Sequence, residues 1–156
     1  MLRLIPAPVF RLLLRGAHKV RHRWRALSGR TGTGVTVIGL DLDGSVLLIR
    51  HSYGPDGWYF PGGGIKRREA PEDAARREMR EETGCRIENL ERVGIIEEHL
   101  SGAPHTAHVF EGVVRDAPEP DGREVVEARF FPLHSLPEPL GPRTRARLDL
   151  WRARQI

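Results

Sequence analysis

The sequence predicts an α/β domain in which helices pack against a mixed β-sheet. Several stretches alternate apolar and polar residues with period two and are rich in β-branched side chains, which is typical of strands. One helical stretch lies between these strands and a second follows them, and this order favours a layered α/β fold. The 156 residues, of which 39% are apolar, are enough for one hydrophobic core.

The N-terminal region is basic. Residues 1–40 carry eight basic and no acidic side chains, whereas the rest of the chain carries 17 basic and 21 acidic ones. Apolar residues recur there every three or four positions, as in an amphipathic helix: Val9, Leu13, Ala17, Val20, Trp24 and Leu27. We therefore predict a basic amphipathic helical extension over residues 1–30, followed by a globular domain over residues 31–156.

The role of residues 1–30 has several interpretations. The apolar stripe would pack on the domain or on a partner subunit of a homodimer. Alternatively, the basic face would bind RNA or a membrane surface. An arginine-rich, acid-free N-terminus is also typical of an organellar transit peptide that is removed after import.

The first strands are expected directly after this extension. Residues 35–40 and 45–49 are predicted as two strands, and the Asp43-Gly44 pair between them indicates a two-residue hairpin turn. Residues 58–60 are a short third strand candidate. Because a proline and three glycines follow at residues 61–64, we expect a loop to begin there.

The central helix has clear boundaries in the sequence. Pro71 fits the first helical turn, and acidic Glu72 and Asp73 lie near the positive end of the helix dipole. Gly84 marks the stop, so we predict this helix from Pro71 to Thr83. Strand-like runs follow near residues 93–98, 105–114 and 126–131, and a last helix is expected near residues 142–154.

Cysteine content and hydropathy bear on the compartment. Cys85 is the only cysteine, which excludes an internal disulfide and favours a reducing compartment. We expect it to be a buried structural thiol. The longest apolar runs fall far short of the roughly 18 residues that a membrane-spanning helix needs. A soluble, cytoplasmic protein is therefore predicted.

Three carboxylates share one face of the central helix. At about 100° per residue, Glu78, Glu81 and Glu82 fall within about 100° of one another. Like charges four residues apart cost an isolated helix about 0.2–0.5 kcal/mol, so a positive partner should compensate them. That partner is either Arg77, which stands four residues before Glu81 on a solvated face, or a bound cation.

The glycine-rich loop before this helix favours the cation. Glycines at residues 62–64 let the backbone approach a metal ion or a phosphate closely. Oxygen ligands of this kind suit Mg²⁺, which is usually held by a few carboxylates and by substrate phosphates, and Mn²⁺ is expected as a substitute. The chain has no Cys/His ligand set of the kind that binds structural zinc.

The same residues fit a longer spacing pattern. It reads glycine, five residues, glutamate, seven residues, then Arg-Glu-apolar-any-Glu-Glu-any-Gly-apolar, and it runs here from Gly63 to Cys85. This pattern resembles the signature box of the Nudix hydrolases. The closing Cys85 and the basic residues 66–68 depart from the usual box without removing a ligand. The resemblance implies an α/β/α sandwich with a mixed central sheet.

The resemblance also implies roles for individual residues. Glu78 and Glu82 would be the principal metal ligands, with the Gly62 carbonyl as a backbone ligand. Glu81 would be a further ligand or the general base. Glu69 and Arg77 would mostly hold the loop and the helix together, and the structural positions of the box would be Gly63, Glu69, Arg77 and Gly84.

The general base often lies downstream of the box in this family. Residues 124–133 are similar to that region, and there we favour Glu124 over Glu127 as the base or an extra metal ligand. An alternative interpretation is that both are solvent-exposed charges at a strand edge.

The implied activity is Mg²⁺-dependent hydrolysis of a phosphoanhydride bond in a nucleoside diphosphate linked to another moiety, as in a nucleotide, a nucleotide sugar or a nucleoside triphosphate. One alternative is an RNA 5′-end pyrophosphohydrolase that uses the basic N-terminus, and another is a non-catalytic nucleotide-sensing module. Tyr53, Trp58 and Phe110 either stack on a substrate base or belong to the core. The sequence leaves the exact substrate open.

Overall fold

The computed structural model describes residue 6, residues 8–13 and residues 32–156. Residues 8–13 are helical, and residues 32–156 form a domain of six strands and two helices. The strands are β1 (Gly32–Leu40), β2 (Val46–His51), β3 (Gly62–Gly64), β4 (Glu88–Leu100), β5 (Ala103–Val113) and β6 (Val125–Phe131). The helices are α1 (Pro71–Thr83) and α2 (Pro142–Arg154).

One mixed sheet forms the centre of the domain. Its strands lie in the order β4-β5-β1-β2-β6, and β3 also pairs with β1. Strands β1 and β5 are parallel, from Gly32 opposite His105 to Leu40 opposite Val113. The other pairs are antiparallel. The mixed sheet predicted from the sequence is therefore confirmed.

A helix covers each face of the sheet. Because side chains alternate along a strand, Val37 and Leu47 pack on the face that carries α1, whereas Ile38 and Leu48 pack on the face that carries α2. The two helices complete these cores with Ala74, Ala75 and Met79 from α1 and with Leu148 and Trp151 from α2. The α/β/α sandwich is thus confirmed, and α1 lies against the centre of the sheet.

The two helices predicted within the domain are confirmed with their boundaries. Gly84 ends α1 in the left-handed conformation with φ of 73°, and its N–H donates to the Arg80 carbonyl at 3.0 Å. Cys85 directly behind it is fully buried, as expected of a structural thiol. The predicted strands near residues 93–98 and 105–114 are present as parts of the longer β4 and β5.

The connection between β1 and β2 is longer than predicted. Leu40 pairs with Val46, so the turn contains five residues rather than two. The Asp41 carboxylate explains the extra length, because its Oδ1 accepts hydrogen bonds from the N–H groups of Asp43 at 3.0 Å and Ser45 at 2.8 Å. The predicted hairpin is correct, and the predicted turn length is wrong.

The loop expected at residues 61–64 contains strand β3. Gly62 and Gly64 pair with Thr36 and Gly34 of β1. A side chain at Gly62 would put its Cβ 2.1 Å from the Val35 carbonyl oxygen, so the glycine is what allows this close pairing. The prediction of a short strand at residues 58–60 is wrong, because this segment makes only isolated bridges, one to Ile49 and one to Leu140.

The predictions for residues 1–30 are only partly covered by the described residues. Val9 and Leu13 of the apolar stripe are about half exposed, whereas Phe10 and Arg11 of the same helical stretch are partly buried. The remaining stripe residues lie outside the described part of the chain: Ala17, Val20, Trp24 and Leu27. In the part that the structure describes, no helix combines the length and apolar character that a membrane span requires.

Candidate active site

Strand β3 and helix α1 meet at the carboxylates predicted to bind metal. The Gly62 N–H donates a hydrogen bond of 2.8 Å to Glu82 Oε2. The Glu78 carboxylate occupies the space beside Gly63, where an added Cβ would lie 2.5 Å from Glu78 Oε1. The structure therefore brings the glycine loop and the two principal predicted ligands into direct contact.

Arg77 connects this loop to the helix. Its guanidinium donates to both carboxylate oxygens of Glu69, at 2.7 and 2.9 Å, and to the Gly64 carbonyl at 3.0 Å. The bonds from Arg77 to Glu69, together with one from the Lys66 N–H, hold the pKa of Glu69 down at about 2. Glu69 is thus an ionised partner of Arg77 and is turned toward the guanidinium.

Arg77 also reaches two of the helix carboxylates. Its Nη1 donates to Glu78 Oε1 at 2.6 Å and to Glu81 Oε2 at 3.2 Å. The ion pair of Arg77 with Glu81 that the sequence left open is therefore present. Arg77 contacts only one oxygen of Glu78 and one of Glu81, and this leaves the other oxygen of each available to a cation. Glu81 is the most exposed of the three helix acids, with 55% of its side chain accessible.

Glu82 is the most buried acid of the site, with only 8% of its surface exposed. Burial raises the pKa of its carboxyl well above the ordinary value, and the charges of Glu78, Glu124 and Glu81 raise it further. The hydrogen bond from Gly62 acts in the opposite direction. Negative charge at Glu82 is therefore costly unless a cation compensates it.

The pKa of Glu78 is raised by the same causes as that of Glu82, but to a smaller extent. Burial raises the pKa of its carboxyl, and the charges of Glu81 and Glu124 add to this effect. The hydrogen bond and charge of Arg77 lower it in part. Glu78 and Glu82 thus form a pair of partly desolvated acids that repel each other.

Glu124 joins this cluster from another element. It stands immediately before β6, and its charge is close enough to raise the pKa of both Glu78 and Glu82. Its backbone carbonyl accepts a hydrogen bond of 2.9 Å from the Ser52 N–H at the end of β2. Glu127 instead forms an ion pair with Arg50 at 2.9 Å across the β2–β6 pair.

These acids fit a hard divalent cation. Glu78, Glu82 and Glu124 concentrate negative charge around a glycine loop, and Arg77 offsets only part of it. Among the described residues, no group of three or more acidic, histidine or cysteine side chains is arranged to hold a metal ion. A smaller set can serve for Mg²⁺, which usually keeps several waters and takes substrate oxygens in addition to one or two carboxylates.

A cleft of about 590 Å³ adjoins the glycine loop. One wall carries the aromatic rings of His51, Tyr53 and Tyr59, and the His51 ring centroid lies 5.3 Å from that of Tyr53 and 5.8 Å from that of Tyr59. Of the three aromatic candidates from the sequence, Tyr53 lines this cleft. Trp58 and Phe110 are core residues with 8% and 1% exposure.

The cleft is also lined by a buried ion pair that the sequence did not reveal. The Arg147 guanidinium donates to both oxygens of Glu98, at 2.9 and 2.6 Å. Burial raises the pKa of Glu98, but the hydrogen bonds and the charge of Arg147 have the larger combined effect, so the pKa is lowered. The exposed Arg143 lies beside the pair, 3.7 Å from Glu98. No local spacing joins residues 49 positions apart, so the sequence carried no signal for this contact.

Comparison with known proteins agrees with this geometry. A family model described as NUDIX domain matches residues 30–151. The chain belongs to the NUDIX family. The NUDIX match begins two residues before β1 and ends within α2, so it includes the loop, α1 and Glu124.

Curated relatives match over a shorter stretch. An RNA pyrophosphohydrolase of Teredinibacter turnerae is 43% identical over 61 residues, which cover 39% of this chain and 36% of that protein. The diphosphoinositol polyphosphate phosphohydrolase 3-alpha of Mus musculus is 38% identical over 65 residues, which cover 42% of this chain and 39% of that protein. In both cases this NUDIX chain spans well under half the length of the relative.

Solved NUDIX structures match over most of the domain. The MutT NUDIX hydrolase of Burkholderia pseudomallei is 26% identical with a TM-score of 0.70, covering 78% of this chain and 98% of that one. The NUDIX domain of Shewanella oneidensis NrtR, solved with ADP ribose, is 18% identical with a TM-score of 0.69, covering 81% of this chain and 90% of that one. The second likeness shows the shared fold alone.

Proposed function

We propose that this NUDIX protein is a Mg²⁺-dependent hydrolase that cleaves a phosphoanhydride bond in a nucleoside diphosphate linked to another moiety. The observation that carries this proposal is the negative charge that Glu78, Glu82 and Glu124 concentrate near a glycine loop, which itself lines a cleft. A phosphoanhydride is strongly anionic, and it would be repelled by three carboxylates unless a cation bridged them.

Glu78 and Glu82 are the proposed principal metal ligands, with Glu81 and the Gly62 carbonyl as further ligands. A divalent ion bound there supplies charge neutralisation for the phosphate oxygens and lowers the pKa of a bound water. The buried position of Glu82 and its bond to Gly62 fix one ligand relative to the loop. Preorganised ligands of this kind keep the reacting phosphorus in place.

Glu124 is the proposed general base. It takes a proton from the attacking water while the water oxygen bonds to phosphorus and the bridging P–O bond breaks, so each product leaves with its own phosphate group. Glu81 is less suited, because its carboxylate accepts a hydrogen bond from Arg77. Glu127 is less suited as well, because it is paired with Arg50.

The cleft is the proposed site for the rest of the substrate. The aromatic wall of His51, Tyr53 and Tyr59 offers surfaces on which a nucleobase can stack. Arg143 also lines the cleft, has 47% of its side chain exposed and can donate to ribose, base or phosphate oxygens. Both features support a nucleotide-type substrate.

An RNA 5′ end is a second candidate substrate. Two observations favour it: the named activity of the Teredinibacter turnerae relative and the excess of basic residues in positions 1–40. The chemistry at phosphorus would be the same, with the basic N-terminal region binding the RNA backbone. Deleting residues 1–30 should then weaken turnover of RNA more than turnover of small nucleotides, with steep salt dependence for RNA alone.

The proposed function is tested with a substrate screen in Mg²⁺ or Mn²⁺. ATP, ADP-ribose, UDP-glucose, a diadenosine polyphosphate and a 5′-triphosphorylated RNA are incubated with the protein, and released phosphate is measured with and without added phosphatase. We expect metal-dependent turnover that Glu82→Gln abolishes. Asp73→Asn, which removes an exposed acid from the same helix, is the matched control and should leave turnover intact.

A nucleotide-sensing module would give a different result. Tight binding of one of these nucleotides in Mg²⁺, without release of phosphate or of a nucleoside monophosphate, would contradict the proposed activity.

A further inference from the structure

The N-terminal helical segment, residues 8–13, contacts the loop that carries Glu124. The Arg11 guanidinium donates hydrogen bonds to the Gly122 carbonyl through Nε at 2.9 Å and through Nη2 at 2.5 Å. One residue further along, the Arg123 guanidinium lies 5.4 Å from the Phe10 ring centroid in a cation–π contact. Two consecutive residues of the segment thus hold two consecutive residues of the loop, 111 positions away from Arg11.

The same loop is anchored on its other side by β2. Ser52 Oγ donates to the Arg123 carbonyl at 2.6 Å, and the Ser52 N–H donates to the Glu124 carbonyl at 2.9 Å. The Gly122 N–H closes the loop by donating to the Val125 carbonyl at 3.1 Å. Residues 122–124 are therefore held between the N-terminal segment and the sheet.

Glu124 follows directly after these anchored residues. Its side chain is exposed, and its charge is close enough to the partly buried Glu78 and Glu82 to raise the pKa of both. Gly122, with φ of 71°, has the left-handed backbone that glycine adopts at little cost, and it provides a point at which the loop can bend. The contact of Arg11 with Gly122 restricts this bend, and so it limits the positions open to Glu124 two residues later.

We propose that the N-terminal helical segment positions Glu124 for catalysis, with Arg11 as the positioning residue and Phe10 as its support. This inference rests on the proposed function, because it assigns the role of general base to Glu124. It gives the N-terminal extension a role in the chemical step that is independent of RNA or membrane binding. The exposed face of the segment, with Val9, Leu12 and Leu13, takes no part in it.

The test compares Arg11→Ala, Arg11→Lys and Phe10→Ala in the full-length chain. Leu12→Ala is the matched control, because Leu12 is 69% exposed on the same segment. Steady-state kinetics are measured with whichever of ATP, ADP-ribose and 5′-triphosphorylated RNA the wild-type protein hydrolyses fastest.

A positioning role predicts that Arg11→Ala lowers kcat by about 3–30-fold with KM unchanged, which is less than the ~10²-fold expected for loss of the base itself. Arg11→Lys should recover part of the loss, and Leu12→Ala should match wild type.

A double-mutant cycle separates positioning from general damage. If Arg11 acts through Glu124, Arg11→Ala should have no further effect on kcat in a Glu124→Gln background, so the two losses are not additive. Equal fractional losses in both backgrounds, or wild-type kcat for Arg11→Ala, would overturn the inference while leaving the proposed function in place. If Glu124→Gln itself retained wild-type kcat, the assignment of the base would fail, and the inference would fail with it.

Discussion

The backbone N–H of Gly62 donates a 2.8 Å hydrogen bond to Oε2 of Glu82, across 20 residues of sequence. Through this bond, the most buried acid on α1 is fixed to the strand that forms one side of the cleft. Glutamine at position 82 would keep an oxygen acceptor for Gly62 and would remove the charge. The site therefore offers a substitution that separates the shape of this contact from its electrostatics.

Glu82→Gln should stabilise the metal-free protein while it abolishes activity. The substitution removes a buried negative charge that burial and three neighbouring carboxylates disfavour. A gain of about 1 kcal/mol in the free energy of unfolding would raise Tm by ~2–4 °C in a domain of this size. Thermal unfolding in EDTA measures the effect. An unchanged or lower Tm would mean that the negative charge of Glu82 does not destabilise the metal-free protein.

The stability of the metal-free protein should fall as pH rises above the ordinary carboxyl range. The folded-state pKa of Glu82 is raised above its ordinary value of 4.5, so the folded protein binds more protons than the unfolded chain between these two values. The stabilisation that protonated Glu82 gives to the fold is fully present below pH 4.5, and it is lost as pH increases through the raised pKa. Tm measured against pH in EDTA should show this decrease, and the decrease should be smaller in Glu82→Gln.

Mg²⁺ should reverse this dependence. The ion binds the ionised carboxylates, so its affinity should rise with pH over the same window, and the Mg²⁺-induced increase in Tm should be larger at about pH 8 than at about pH 5. Thermal unfolding at fixed Mg²⁺ and varied pH provides the measurement. A Mg²⁺ effect of equal size at both values would contradict the assignment of Glu78 and Glu82 as ligands.

Gly63→Ala should weaken metal binding more than Gly64→Ala. A Cβ at Gly63 would lie 2.5 Å from Glu78 Oε1, so the carboxylate must move, whereas a Cβ at Gly64 meets no atom within 4 Å. Displacing a ligand in this way should cost ~10–100-fold in metal affinity, as loss of a supporting contact does in other metal sites. Isothermal titration calorimetry with Mn²⁺ gives the comparison, and equal affinities in the two variants would show that Glu78 is not a ligand.

Arg77→Lys should be destabilising although charge is conserved. Lysine cannot reproduce the paired bonds to Glu69 together with the bonds to Gly64 and Glu78. Loss of these charge-assisted bonds should lower the free energy of unfolding by about 1–3 kcal/mol. Urea denaturation measures it, with Arg76→Lys as the control, because Arg76 is exposed and makes one bond of 3.3 Å to the Glu72 carbonyl. Equal stability of the two variants would exclude a structural role for Arg77.

The sequence predicted the parts of the fold that depend on local signals. Helix α1 begins at Pro71 and ends before Gly84 because a fixed backbone angle and a left-handed glycine act within a few residues. The four-residue spacing of Glu78 and Glu82 likewise places both on one face of any α-helix, whatever packs around it. The strands were found by their period-two pattern, which is also local, but their ends depend on pairing partners and were less accurate.

The missed features all depend on long-range contacts. Gly62–Gly64 has the composition of a loop, and only the approach of β1 and the Glu78 side chain makes these glycines a strand. The Arg147–Glu98 pair joins α2 to β4, and nothing in the local sequence of either element indicates the other. Likewise, Arg11 fits a solvated basic face by its spacing alone, and its contact with Gly122 depends on a loop far along the chain.

Glu78 and Glu82 are the proposed ligands of a catalytic divalent cation. Binding of this cation can be measured by a titration of Mn²⁺ followed by electron paramagnetic resonance, with Mg²⁺ as competitor, in wild type, Glu82→Gln and Asp73→Asn. We predict that wild type and Asp73→Asn bind Mn²⁺ equally, and that Glu82→Gln binds it at least about tenfold more weakly. Equal affinity in all three proteins would contradict the proposed ligands.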